Sequence, residues 1–274
     1  MDIAIISSRL TDANFPPAEE RVVRTPFGEA VVVVTKPRGR EVAYLPRYKP
    51  DLTLAAHRIN YRANLWALRR LGVRQIISQN AIGSTRATLP PGAITIPHDF
   101  IDFTKRTPVT MFEGDDVWVR VDFTEPFCPS LRAVLTGAGR AAGVALIDRA
   151  VFACVEGPRF ETPAEIQMLA QWGADLVGTP LVPEVVFARE LQMCFASIAP
   201  IINYAAGLAP AVVHTGSGSM VDFYYGAGGV HDRVERVLLA ALDALPHSGA
   251  CGCPRALDGA VKGPLPSWWN ELPR

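Results

Sequence analysis

Short runs of apolar, mostly β-branched residues recur along the chain: IAIIS at 3–7, AVVVVT at 30–35, VAYL at 42–45, RQIIS at 74–78, AITIP at 93–97, VWVRV at 117–121, VFACVE at 151–156 and FASIAPII at 195–202. Each has the length of a buried strand and is too short for a helix. Between them lie segments with apolar positions at helical spacing, at 59–72, 129–143, 161–173, 182–192 and 231–245. Their punctuation agrees. Thr162-Pro163 puts proline in a first turn, Pro183 opens another helix before Glu184, and Gly72 and Gly173 stand at C-caps. Alternation of this kind predicts an α/β protein, a domain over 1–245 with a central β-sheet, mixed or parallel, flanked by helices.

Two stretches break the pattern. Residues 207–230 are rich in glycine with interspersed aromatics and read as a functional loop or lid. Residues 246–274 form a C-terminal extension holding CGCP and paired tryptophans, Trp268 and Trp269, which are costly to leave in water. The extension is expected to pack on the body or on a neighbouring subunit.

Composition narrows the function classes. Lys+Arg and Asp+Glu are both 27, so no net field favours a nucleic acid polymer or an anionic membrane. The 49% hydrophobic content with 20% charged residues fits a large core. The N-terminal apolar run is short and lacks a preceding cationic stretch, so it reads as a strand rather than a signal peptide, and no run reaches the ~18 residues of a membrane span. A cytoplasmic protein is expected.

No dinucleotide fingerprint, P-loop or GxSxG elbow is present, so no organic cofactor is expected. The histidines His57, His98, His214, His231 and His247 never pair at i, i+4. Cys128, Cys154 and Cys194 lie in or beside apolar segments and read as core. Cys251 and Cys253 read as an exposed pair, a strained disulfide or half of a metal site whose further ligands are wanting except for His247. No metal site is therefore expected. What remains is polar chemistry at strand ends, where open α/β sheets bind ligands: Ser7-Ser8-Arg9, Arg47-Tyr48, Asn80-Ala81, 156–161 and Asn203.

Several blocks in fixed order, YKPDLTLAAHRINYRANLWALRRLGV, ISQNAIGS, EPFCPSLRAVL, VEGPRFETPAEI, WGADLVGTPLVPEVVFARELQMCFASIA and INYAAGL, resemble the 5'-methylthioadenosine and 5'-methylthioinosine phosphorylase branch of the trimeric purine nucleoside phosphorylase family. CGCPRALDGAV resembles the Cys-x-Cys tail of some members. The resemblance implies a homotrimer of nucleoside phosphorylase-like domains that cleaves the N-glycosidic bond of a small purine nucleoside with inorganic phosphate as co-substrate. It implies that Phe160 stacks on the purine, that Glu161 and Asn203 address its edge, and that Ala81, Val177, Thr179 and Ala205 line base and ribose. Members favouring 6-aminopurines have Asp at the positions of Asn203 and Ala205, so this chain resembles the 6-oxopurine type. A neutral amide can present its carbonyl to a protonated N7 and its NH2 to O6.

The anion side departs from the family. Its glycine-rich phosphate loop is replaced by Ser7-Ser8-Arg9, its Arg-His-Gly by Arg47-Tyr48-Lys49, and its Met-Thr before the VPE helix by Thr179-Pro180. The acceptor site is then expected from Ser8, Arg9, Arg47, Tyr48 and Asn80. Arg120 stands where the family often has a histidine, and with His57 is assigned to the nucleoside 5'-substituent, with a salt bridge from Arg120 to Glu125 or Asp122 as the simpler role. Three readings stay open: phosphorolysis, hydrolysis of a purine nucleoside or its 5'-phosphate, and a catalytically silent purine binder.

Overall fold

The computed structural model describes residues 1–105, 108–208, 223–226, 228–246 and 251–273. In chain order the strands are β1 (Ile3–Ser7), β2 (Pro17–Thr25), β3 (Gly28–Thr35), β4 (Val42–Pro46), β5 (Gln75–Gln79), β6 (Ile82–Ser84), β7 (Ile94–Thr95), β8 (Asp99–Asp102), β9 (Trp118–Val119), β10 (Val151–Cys154), β11 (Leu176–Gly178), β12 (Cys194–Tyr204) and β13 (Val261–Lys262). The helices are α1 (Tyr61–Arg70), α2 (Pro129–Ala141), α3 (Pro163–Gln171), α4 (Glu184–Glu190) and α5 (Val230–Ala244).

Eleven strands form one mixed sheet, in the order β2-β3-β4-β1-β5-β12-β6-β11-β10-β8, with β7 joined to β12. The centre is parallel: β1 pairs with β4 and β5, and β12 with β5 and β6. The period-2 geometry of a strand sorts its side chains between the two helical layers. Ala4 and Ile6 of β1 face the core that holds Leu65, Trp66 and Leu68 of α1 and Val185 and Phe187 of α4. Ile3 and Ile5 face the core built from Leu131 and Leu135 of α2 and Val234, Val237 and Leu238 of α5. Burial on both faces explains why these strands read as continuous apolar runs. Among the described residues no helix is long and apolar enough to cross a membrane.

The elements missing from the hydrophobic pattern are short or exposed. β2 carries PAEERVVRT, mostly exposed, and exists because it pairs along its length with the buried β3. Its charges suit an edge strand. The apolar run at 117–121 yields only Trp118–Val119, which pairs with β13 in a separate two-stranded ribbon.

In the tail, Trp268 is buried against Phe27 and Phe112, and its indole N–H donates to Asp115 at 3.1 Å. Its own chain therefore satisfies that ring, which gives no argument for a subunit contact. Most of the glycine-rich loop, and His214 and His247, lie outside the described residues.

Candidate active site

The residues expected to meet the base stand at the carboxyl ends of β5, β10, β11 and β12 and in the chain that follows them. The ladder of β12 with β6 shifts register between Ile201 and Asn203, a bulge that sets Asn203 opposite Gly83. A Cβ on Gly83 would lie 3.3 Å from Val177 Cγ1 and 3.4 Å from Asn203 Nδ2, so the glycine allows these side chains to converge. Ala205 is buried beside them. Asn203 Nδ2 donates to the Tyr204 carbonyl at 2.8 Å, which orients the amide and leaves its second N–H and its oxygen for other partners.

The 156–161 loop reaches the same region. Gly157 has φ +60°, and a Cβ there would fall 2.8 Å from Thr179 Cγ2, so only glycine lets the loop approach the end of β11 this closely. Thr162 then caps α3 reciprocally with Glu165, Glu165 N donating to Thr162 Oγ1 at 3.2 Å and Thr162 N to Glu165 Oε2 at 2.7 Å. A Cβ on Gly207 would meet Pro163 at 2.9 Å, which places the start of α3 against the chain leaving β12. Phe160 is 44% exposed and so has a free ring face. Burial, and to a lesser degree the nearby Glu165, push the Glu161 carboxyl above the usual range.

The anion side is built differently. Arg47 is buried; its Nε and Nη2 donate to Glu184 at 2.7 and 3.1 Å, Nη1 to Gln79 O at 3.1 Å, and Nη2 also to Ser78 Oγ at 2.9 Å and Asn80 Oδ1 at 3.3 Å. Burial opposes its charge, but Glu184 outweighs that and Arg47 holds its proton more tightly than a free guanidinium. A buried carboxylate therefore already neutralises Arg47, one of the residues expected in the acceptor site. Its neighbour Asn80 is buried and its Nδ2 has no hydrogen-bond partner among the described residues.

The Ser7-Ser8-Arg9 turn is held by side chains rather than by glycines. Ser7 Oγ lies 2.8 Å from Arg9 O and 2.9 Å from Gln79 Oε1, two acceptors that share its single hydrogen. Ser8 Oγ and Tyr225 Oη share a hydrogen bond of 2.8 Å, and Tyr48 lies close enough to influence both Arg47 and Tyr225. Burial raises the Tyr225 phenol, keeping its proton. Buried His231 and Glu235 of α5 fix the turn from below: His231 Nε2 donates to Arg9 O at 3.0 Å, and Glu235 accepts from Thr11 N and Asn14 Nδ2, each at 2.6 Å. The Arg9 side chain itself is exposed.

A family model described as the Phosphorylase superfamily matches residues 3–242. The chain belongs to that superfamily. It is 43% identical over 241 residues to a probable S-methyl-5'-thioinosine phosphorylase of Methanothermobacter thermautotrophicus, covering 86% of this chain and 80% of the relative. It is 39% identical over 255 residues to the 6-oxopurine nucleoside phosphorylase of Pyrococcus furiosus, covering 89% and 94%. Among solved structures, a methylthioadenosine phosphorylase from an antarctic soil metagenomic library superposes with a TM-score of 0.87 at 29% identity, covering 99% of this chain and 94% of that one.

Within this phosphorylase fold some expected residues stand apart. Arg120 lies on the β9–β13 ribbon, its guanidinium 4.0 Å from the centre of the Trp118 ring and its backbone N–H on Ala260 O. Among the described residues no ion pair joins it to Glu125 or Asp122. His57 is exposed and borders a cavity of about 520 Å³ with Arg62, Lys105 and Glu156. That cavity adjoins the start of the 156–161 loop.

Sequence reasoning missed Glu184, Gln79, Tyr225, His231 and Glu235. A carboxylate following Pro183 at a helix start was visible, but its pairing with Arg47 spans 137 positions. The cysteine reading is also corrected. Cys253 is 2% exposed rather than part of an exposed pair; Cys128 and Cys194 are buried in the core as expected, and there they lie beside Cys251 and Cys253. Only Cys154 stays apart, taking a hydrogen bond from Val182 N at 3.3 Å.

Proposed function

We propose that this chain is a phosphorylase that cleaves the N-glycosidic bond of 6-oxopurine nucleosides, with 5'-methylthioinosine or inosine as substrate class. The observation that carries the reading is the neutral Asn203 amide at the bulged end of β12, packed over Gly83 and beside the apolar Ala205. No carboxylate stands at either position, so nothing there favours a 6-amino group over O6. The names of the thioinosine and 6-oxopurine relatives support the same substrate class.

In this reading Phe160 stacks on the base, and Val177, Thr179 and Ala81 line base and ribose. The C1'–N9 bond breaks through an oxocarbenium-like sugar, and its electron pair moves into the purine. Asn203 and Glu161 stabilise that charge, Asn203 through a protonated N7 and O6. An oxygen of hydrogenphosphate bonds to C1' as the base leaves, and the proton that phosphate gives up, by way of solvent, balances the one taken by N7, giving neutral free base and a sugar 1-phosphate. Asn80 Nδ2, Ser8, Arg9 and Tyr48 would meet the phosphate, with Arg47 a positioning residue that orients Asn80 and Ser78. Arg120 and His57 are assigned to the 5' substituent, Arg120 through a neighbouring subunit of the homotrimer that the family resemblance implies.

The test compares base release from inosine, 5'-methylthioinosine, adenosine and 5'-methylthioadenosine, with and without phosphate. Hypoxanthine and sugar 1-phosphate, formed only with phosphate, are expected. Undiminished turnover to free sugar in phosphate-depleted buffer would refute the phosphorylase reading, and release of adenine alone would refute the base assignment.

A further inference from the structure

Four cysteines distant in sequence meet at one point. Cys128 is the N-cap of α2, Cys194 opens β12, and Cys251 and Cys253 flank Gly252 at the start of the tail. Their Sγ atoms all lie within 4.8 Å of one another, the pair Cys194 and Cys251 at 3.3 Å. A tetrahedral ion with metal–sulfur bonds of about 2.3 Å has sulfur–sulfur edges of about 3.8 Å, inside that range.

We propose that Cys128, Cys194, Cys251 and Cys253 form a structural site for a zinc-class divalent cation, independent of the nucleoside chemistry. The four sulfurs form a four-way cluster: each Sγ lies within 4.8 Å of the other three. Four protein ligands close the coordination sphere, as in structural rather than catalytic zinc sites. The surroundings suit thiolates. Cys128 sits at a helix N-terminus, where the backbone favours negative charge, and Arg189 Nη1 reaches Cys253 Sγ at 3.8 Å. Binding one divalent ion converts four thiols to thiolates, releases four protons, and leaves a complex of net charge −2 that Arg189 partly offsets. The ion would clamp the tail to α2 and to the start of β12, the strand that carries Asn203 at its far end.

The full-length protein, expressed in zinc-supplemented medium and purified without chelator, is expected to contain one equivalent of zinc per chain. Cobalt(II) exchanged for zinc should give thiolate-to-metal charge-transfer and tetrahedral ligand-field bands, and stripping the ion should lower Tm. Cys251→Ser, at a partly exposed position, is expected to weaken metal binding at least about tenfold and to change the cobalt spectrum. Cys154→Ser should leave both unchanged. Three results would overturn the site: a Cys251→Ser protein with undiminished metal affinity, an intact mass lighter by four hydrogens with two disulfides that bind no cobalt after reduction, or a reduced chain whose five free thiols take up neither ion. Circular dichroism of each variant separates loss of the site from loss of the fold.

Discussion

The two regions proposed to meet the base and the anion lie along the same ends of one sheet, yet they are assembled on opposite principles. The base side is a convergence of small and neutral groups: Gly83 and Ala205 make room, Val177 supplies apolar surface, and one amide supplies direction. The residues expected on the anion side form a buried charged frame in which Arg47 is held by Glu184, Ser78, the Gln79 carbonyl and Asn80 Oδ1 before any ligand arrives, with Asn80 Nδ2 left over. The first can change specificity by a single side chain at little cost to stability. The second couples ligand binding to the integrity of the fold, because a buried charge that loses its partner destabilises the protein far more than the pair stabilises it.

The largest expected effect comes from breaking the frame. Glu184→Ala leaves Arg47 buried without a counter-charge and should cost about 3–5 kcal/mol in urea unfolding, whereas Arg47→Met combined with Glu184→Leu should recover much of that loss. If Glu184→Ala is nearly neutral, the frame is not self-satisfying and the contrast with the base side fails. Asn203→Asp addresses the other side. It should leave stability within about 0.5 kcal/mol, as at an uncritical site, while shifting the kcat/KM ratio of inosine to adenosine toward adenosine by about 1.4–2.7 kcal/mol, or about ten- to a hundredfold.

A pH experiment tests burial at the outer end of α4. Burial pushes the Glu190 carboxyl from 4.5 up to about 7, against hydrogen bonds from Met111 N and Thr110 Oγ1 and the charge of Arg62. The folded state then holds this proton more tightly than the unfolded state. The stability tied to that proton is complete below about pH 4.5 and is lost as pH rises to about 7, by at most about 3 kcal/mol. Denaturant titrations across that window should show the slope in the wild type and a flatter one in Glu190→Gln; equal slopes would remove Glu190 as the cause.

The smallest effect belongs to the rebuilt turn. Tyr225→Phe removes the hydrogen bond to Ser8 and should raise KM for phosphate about fivefold, near 1 kcal/mol, with kcat for inosine little changed. A KM that does not move would detach Tyr225 from the acceptor site.

The sequence by itself determined the central strands and the helices, because burial on both faces forces continuous β-branched runs in β1, β5 and β12, and caps such as Thr162-Pro163 and Gly173 punctuate the helices locally. It also marked the strand ends where Asn203 and the 156–161 loop stand, since these follow directly from the apolar runs that precede them. Tertiary structure alone decided β2, whose exposed residues form a strand only by pairing with β3, and the short β6, β8 and β11, which have no periodicity to read. It alone decided that Arg47 faces Glu184, that α5 fixes the Ser7-Ser8-Arg9 turn through His231 and Glu235, and that Cys128 and Cys194 meet the CGC tail. Charge pairing and thiol clustering depend on distance in space, which spacing along the chain does not encode once the partners belong to different elements.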